Sequence, residues 1–535
     1  MPEYLSPGVY VQEVDSGPRP IEGVGTACAA FVGFAPDGPA NTPTLVTNWS
    51  QYVDKFSGLD PQDPGNTKRS PHLPGFYLSH AVYGYFLNGG GRCYVVRVAP
   101  EAANGHGNGK VAEPAKPAMH IPSRASKTTP SLLVSSKGAP SDNIMIVIEP
   151  APGDPPVDGE FNVRVRMGSV EETYEKVALG KGRGVRNVVE TVNAASRLVT
   201  LAEEPGSTPL AERLPALGEF TLQAPVAAPA PTQTAAVRVK PADVIGDVSA
   251  RSGLQGLEIA EDVTMVCCPD LMALYQLGIF SADAVKAVQT DMVAHCEVMG
   301  DRMAILDPLP TLSPKEVRDW RTVATNYDSK YAALYYPWIK IGGPDGKPMA
   351  VPPSGHIAGV YARNDNERGV HKAPANEVIR GALDAESPIT KGEQDTLNPE
   401  GVNCIRSFTG RGLRVWGART LSSDPAWRYI NVRRLFNYVE KSIERGTQWV
   451  VFEPNDPDLW ARVKRDVEAF LTGAWRDGML FGRTPGEAFF VKCDEENNPS
   501  DVRDRGQLFI DVGLAPVKPA EFVIFRLSQW AGGGA

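Results

Sequence analysis

The sequence predicts an α/β (α+β) multidomain protein: mixed sheets with flanking helices, an inserted mainly-β domain, and extended N- and C-terminal strand arms. Three observations predict it. Short apolar runs of strand type alternate with longer runs of helical period, the pattern of layered α/β domains. Between about Glu101 and Asp243 this gives way to a stretch rich in Ala, Pro, Gly and Ser that contains two-residue alternation. Each end carries a strand-like run on a proline-containing tether.

The first run is GVYVQEV, from Gly8 to Val14, followed by Gly17, Pro18, Arg19 and Pro20; the last is AEFVIFRL, from Ala520 to Leu527, preceded by Pro516 and Pro519. A lone strand presents unpaired N–H and C=O groups to any chain that can pair with it. Proline spacers hold such a strand away from its own domain. The pattern therefore points to strand exchange between subunits, through Val9, Tyr10, Val11, Gln12, Glu13 and Val14 at one end. At the other end the strand is Glu521, Phe522, Val523, Ile524, Phe525, Arg526 and Leu527, with Gly17, Pro18, Pro20, Pro516 and Pro519 as hinge linkers. Docking of both termini on the chain's own sheet is the alternative that pattern leaves open.

Between the arms, the order of elements sets the domains. A strand at 28–33, a helix at 79–87 stopped by Asn88-Gly-Gly-Gly91, and a strand at 93–98 form an α/β layer. The stretch 101–243 reads as an inserted mainly-β domain, with strands near 143–148 and 161–167. The α/β pattern resumes with a strand at 263–268, a helix at 282–299 and a strand at 303–306. A helix at 431–445, a strand at 449–452, a helix at 457–475 capped by Asn455 or Asp456, and a strand at 488–493 close the series. The implied domains are 1–25 as arm and linker, 26–100 with 244–405 as a discontinuous central domain, 101–243 as the insertion, 406–515 as a C-terminal domain, and 516–535 as the second arm.

A chain of 535 residues holds about three domains. Its 42% hydrophobic and 22% charged content is that of a globular protein. No apolar run approaches the ~20 residues of a membrane-spanning helix, and the first residues lack a signal-peptide pattern, so cytoplasmic synthesis and assembly are expected. The seven cysteines sit mostly inside apolar runs, as expected of reduced thiols serving as small hydrophobes. A net charge of -9 argues against a dedicated nucleic-acid binder.

Motifs that resemble chemistry have simpler structural readings. A phosphate-binding loop needs a strand before it and a helix after it, whereas the glycines at 89–91 follow a helix and precede a strand. Gly180-Lys-Gly-Arg-Gly184 is a lone glycine-rich loop. Ser354, His356 and Asp365 suggest a nucleophile with its base, but Ser354 is not in a G-x-S-x-G elbow. Cys267 and Cys268 lack a second ligand pair at metal spacing. No catalytic, cofactor or metal site is expected.

The block 351–381, VPPSGHIAGVYARNDNERGVHKAPANEVIRG, resembles the core signature of contractile tail sheath proteins, found in contractile-tailed phages and phage-tail-like injection systems. SKYAALYYPW at 329–338, LNPEGVN at 397–403, VWGART at 415–420, VFEPN at 451–455, GEAF at 486–489, PAEFV at 519–523 and SPGVY at 6–10 agree with it. The resemblance covers both ends and most of 250–530, and only loosely 101–243. It implies a structural protein and no enzyme, stacked in sixfold rings as a helical sheath around an inner tube, its arms joining neighbouring subunits. It implies contraction from a metastable extended state, with the chain itself, the inner tube protein, and baseplate and terminal cap proteins as partners, and no direct nucleic-acid contact, membrane insertion or cofactor. In this frame 406–515 is tube-proximal, 101–243 faces outward, and Arg462, Lys464, Arg465, Asp466 and Glu468 form a tube-facing candidate; an ordinary solvated helix face is the alternative. Gly355, Gly359, Gly369 and Pro374 read as tight turns, and Arg363, Asp365, Glu367 and Arg368 as buried or interfacial ion pairs. The readings from other classes are a cytoplasmic hydrolase using Ser354 and His356, and a non-contractile capsid or tube component.

Overall fold

Short strands that are apolar throughout, separated by helices, bury both faces, and this favours a parallel sheet covered on each side. The computed structural model describes residues 21–59, 69–99, 118–125, 130–137, 144–152, 159–167, 170–180, 186–196, 198–203, 213–222, 239–524 and 526. The expected strand at Val9, Tyr10, Val11, Gln12, Glu13 and Val14, the hinge residues Gly17, Pro18 and Pro20, and Phe525 and Leu527 lie outside the described residues.

The main unit comprises the chain up to Glu101 and from Thr234 onward. Its sheet contains β1 (Cys28–Gly33), β2 (Thr44–Val46), β3 (Arg92–Arg97), β4 (Met265–Cys267), β5 (Met303–Leu306), β6 (Ala332–Tyr336), β7 (Val402–Phe408) and β8 (Gly412–Val415). The spatial order is β2-β3-β1-β4-β5-β6-β7-β8. The six strands from β3 to β7 in that order pair in parallel, and β2 and β8 add antiparallel edges. Every residue of β1, β4, β5 and β6 is buried.

The helices of this unit include α1 (Leu78–Leu87), α2 (Ala282–Met299), α3 (Ser354–Arg368), α4 (Ile430–Gly446) and α5 (Pro457–Arg476). Gly355 and Gly359 lie inside α3 and not in turns, correcting the sequence expectation. Each faces α1 so closely that a Cβ on Gly355 would strike Ala81, and one on Gly359 would strike the Tyr85 carbonyl. Gly369, at φ +93°, ends α3 in a conformation that L side chains rarely adopt. Pro374 sits in a bend.

A second core within the main unit is built from Leu435 and Val439 of α4, Trp460, Val463 and Val467 of α5, and Val491 of the hairpin Phe489–Lys492 with Asp511–Leu514. Asp456 caps α5, its side chain accepting from the Leu459 amide at 2.8 Å. The expected strand at 449–452 is instead a 3₁₀ turn, Gln448–Val450, ahead of Phe452 at φ 70°. Only ten residues separate α4 from α5. The expected boundary at 405/406 cuts through β7, which pairs with both β6 and β8. Residues 21–25 are packed on α4 and are not a linker: Ile21 joins this core and the Val24 amide bonds to Ser442 Oγ.

The unit Ala102–Gln233 has its own core around Ile146, Phe161, Val163, Val165, Val192 and Leu201. Val170–Ala178, Glu160–Met167, Ile144–Pro150 and Gly218–Leu222 form one antiparallel sheet in that order. Val199–Glu203, Pro130–Ser136 and Ala118–Pro122 form another.

Candidate interface at the C-terminal arm

An open α/β sheet usually offers a ligand crevice beyond the carboxyl ends of its strands, where the strand order reverses. In this chain that place, between β1 and β4, is filled from within. Asp270 follows β4, and its carboxylate accepts from the Phe34 amide beyond β1 at 2.6 Å and from the Tyr77 and Leu78 amides at the start of α1 at 2.5 and 2.9 Å. Asp307, beyond β5, does the same for α3, accepting from the Ser354 amide at 2.9 Å and from Ser354 Oγ at 2.5 Å. Helix N-termini attract anions, and here the protein supplies them. Burial pushes both carboxyls up to about 7, against the pull of the hydrogen bonds they accept.

The same contacts separate the residues of the hydrolase reading. Ser354 is fully buried with its hydroxyl committed to Asp307. His356 is buried against Gly84, its Nδ1 has no hydrogen-bond partner among the described residues, and burial pushes its imidazole down to about 4. Asp365 is nine residues along α3, about 14 Å of helical rise from His356, where it forms a bidentate pair with Arg434 at 2.9 and 2.6 Å. Arg363 donates to the Asn88 and Val378 carbonyls, whereas Glu367 and Arg368 are exposed. All seven cysteines are buried free thiols. Burial pushes the thiols of Cys28, Cys296 and Cys404 up to about 12.

On α5, Arg462 and Arg465 are exposed, Lys464 and Glu468 are half-buried, and Asp466 is buried beside Arg465. The tube-facing set therefore loses Asp466: it lies on the apolar side of the helix with Val463 and Val467.

The C-terminal tether also differs from a free spacer. Pro516 bridges to Leu480, the Val517 amide donates to the Met479 carbonyl, and Asn431 Nδ2 donates to the Val517 carbonyl. Pro516 thus lies on the body of the subunit and not at a hinge. Glu521, expected in the exchanged strand, is held by its own chain. Arg419 donates to both its oxygens at 2.8 and 2.7 Å, Asn398 Nδ2 donates at 2.7 Å, and the Tyr429 hydroxyl donates at 3.0 Å. Burial alone would raise this carboxyl; the donors and the Arg419 charge outweigh it and hold it below the ordinary carboxylate range. Immediately afterwards Phe522, Val523 and Ile524 are 71%, 70% and 80% exposed, and none of the three pairs with a described strand of this chain.

Residues 253–421 match the phage tail sheath protein central domain, and residues 422–529 match the phage tail sheath C-terminal domain. The chain belongs to the phage tail sheath family. The tail sheath protein of Burkholderia phage BcepMu is 24% identical over 97% of this chain and 95% of its own length. That of Vibrio phage KVP40 is 31% identical over 32% of this chain and 26% of its own length. Among solved structures, the helical sheath of the anti-feeding prophage in its contracted state shares the fold, at 24% identity and a TM-score of 0.58 over 98% of this chain and 99% of that one.

Within the sheath fold, three of the sheath-like motifs meet in one place: Asn398 comes from LNPEGVN, Arg419 from VWGART and Glu521 from PAEFV. Sequence reasoning singled out neither Arg419, Asn398 nor Tyr429. The available signal was that motifs far apart in the chain each contain one group able to recognise a carboxylate or be recognised by a guanidinium.

Proposed function

We propose that the chain is the structural subunit of a contractile sheath. Copies assemble by strand exchange into sixfold rings stacked around an inner tube, and contraction from a metastable extended state drives the tube through a target envelope. The observation that carries this reading is the succession of the sheath central and C-terminal domains over 253–529.

The exposed Phe522, Val523 and Ile524 support strand exchange, because an uncovered apolar strand is normally avoided unless a partner covers it. A heterologous contact of that kind, repeated without closing, produces a helical polymer. The close packing and buried ion pairs of the main unit suit a motor made of rigid bodies, in which each subunit gains contact energy on contraction and no nucleotide is consumed. The inner tube is the partner for the exposed side of α5, with Arg462 and Arg465 foremost and Lys464 and Glu468 at its margins. Baseplate and terminal cap proteins complete the particle, which assembles in the cytoplasm. The unit 102–233 faces outward and takes no part in contraction. Among the described residues no helix is long and apolar enough to cross a membrane.

The test is electron microscopy of the purified chain and of two truncations, one lacking residues 1–15 and one lacking 522–535. The intact chain is expected to form helical sheaths, and each truncation a folded subunit that does not polymerise. Normal sheaths from either truncation would refute strand exchange.

A further inference from the structure

We infer that the contact of Glu521 with Arg419, Asn398 and Tyr429 is the pivot of the C-terminal arm: it fixes the point at which the arm leaves its own subunit, and hence how far the exchanged strand reaches. The inference rests on the strand-exchange reading and adds to it the position of the mechanical joint.

Three features place the joint just beyond Glu521 and not at Pro516 and Pro519. The chain before it is tied down, at Pro516 by Leu480 and at Val517 by Met479 and Asn431. Glu521 itself accepts four hydrogen bonds from three side chains, two of them from one guanidinium in a bidentate fork. The residues beyond it are strand-forming and apolar, yet largely exposed. A segment that is anchored up to one residue and uncovered from the next bends at that residue.

The anchor is braced from behind. The Arg419 amide donates to Asn403 Oδ1 at 2.7 Å, while Asn403 Nδ2 donates to the Arg419 carbonyl at 2.8 Å and to the Leu334 carbonyl at 3.1 Å. Asn403 lies in β7 opposite Tyr335 of β6, both fully buried. Tension on the arm therefore passes from Glu521 through Arg419 into the parallel sheet. Losing the anchor would free residues 518–521, about 13 Å of extended chain at ~3.3 Å per residue. That slack exceeds two strand spacings of ~4.8 Å, so an exchanged strand could stay paired while its parent subunit moved independently. With the anchor closed, the two must move together.

The experiment uses full-length Glu521→Gln, Glu521→Ala and Tyr429→Phe subunits, none of which removes a buried core group. Hydrogen exchange at the Val517 and Glu521 amides should accelerate at least tenfold in Glu521→Ala, less in Glu521→Gln and least in Tyr429→Phe, while amides of Val402–Phe408 keep their wild-type rates. Sheaths assembled from Glu521→Ala should lose the single axial repeat of the wild type. Unchanged exchange in Glu521→Ala, or sheaths with the wild-type repeat, would overturn the inference. The truncation lacking 522–535 retains Glu521 and separates the two ideas. If it polymerises normally, strand exchange fails, and the Val517 exchange rate in Glu521→Ala still decides whether Glu521 anchors the tether.

Discussion

The central sheet and the sheets of the 102–233 unit bury their strands by different rules. β1, β4, β5 and β6 are buried at every position, whereas Ile144–Pro150 and Glu160–Met167 alternate buried and half-exposed residues. A parallel sheet covered on both faces must match a neighbour at each side chain, while a sheet with one wet face must match at every second. The matched sheath domains run from 253 to 529, wholly within the main unit that contains the first kind of sheet. The contrast indicates where sequence is most constrained: close-approach glycines and buried ions tolerate few replacements, and an alternating pattern is met by many.

The largest effect that would break this comparison lies in the central unit. Arg434→Met leaves Asp365 buried without its partner, since the two side chains are 4% and 2% exposed. Stranding a buried charge costs about 3–5 kcal/mol, so denaturant unfolding should show a loss of that order; a loss below about 1 kcal/mol would mean the pair is not a constraint.

Phe161→Ala, which opens a cavity in the insertion core, should cost about 3 kcal/mol in a transition confined to that unit. Replacing 102–233 with a short Gly/Ser linker should leave the unfolding midpoint of the main unit and sheath contraction unchanged. A main-unit midpoint that moves with either change would show that the two regions are one cooperative body.

The smallest expected effect sharpens the picture of the α1/α3 contact. Burial pushes His356 down to about 4 from an ordinary 6.5, so the folded protein binds that proton less readily than the unfolded chain. The stability linked to neutral His356 is complete above pH 6.5 and is lost as pH falls from 6.5 through 4. At pH 5 the loss is roughly 2 kcal/mol, and leucine does not incur it. Relative to wild type, His356→Leu should therefore gain that amount between pH 8 and pH 5 in urea unfolding, and an unchanged difference would show that His356 titrates as an exposed histidine.

The Ser354, His356 and Asp365 trio shows how far sequence could reach at the site. Their types and spacing suggested chemistry, and only the neighbours Asp307, Gly84 and Arg434, none of them in the motif, assign each a packing role. The arm shows the converse. Its strand-forming run was plain in the sequence, but the tether looked free because Leu480, Met479, Asn431 and Arg419, which hold it down, come from other parts of the chain.

The sequence by itself determined many of the local elements, the strand expected at 449–452 being an exception. The expected helix at 282–299 is α2 residue for residue, with Ser281 capping it through the Ala284 amide, and β5 at 303–306 likewise agrees. Helical period, caps and buried apolar runs are properties of neighbouring residues, so they can be read in one dimension. Only the tertiary structure decided that glycines read as turns are helix contacts, that Asp270 fills the crevice, and that Glu521 is an anchor. Each depends on partners far away in sequence, 193 residues for Asp270 with Tyr77 and 102 for Glu521 with Arg419, and the energy of a buried polar group is set by those partners and not by its neighbours in the chain.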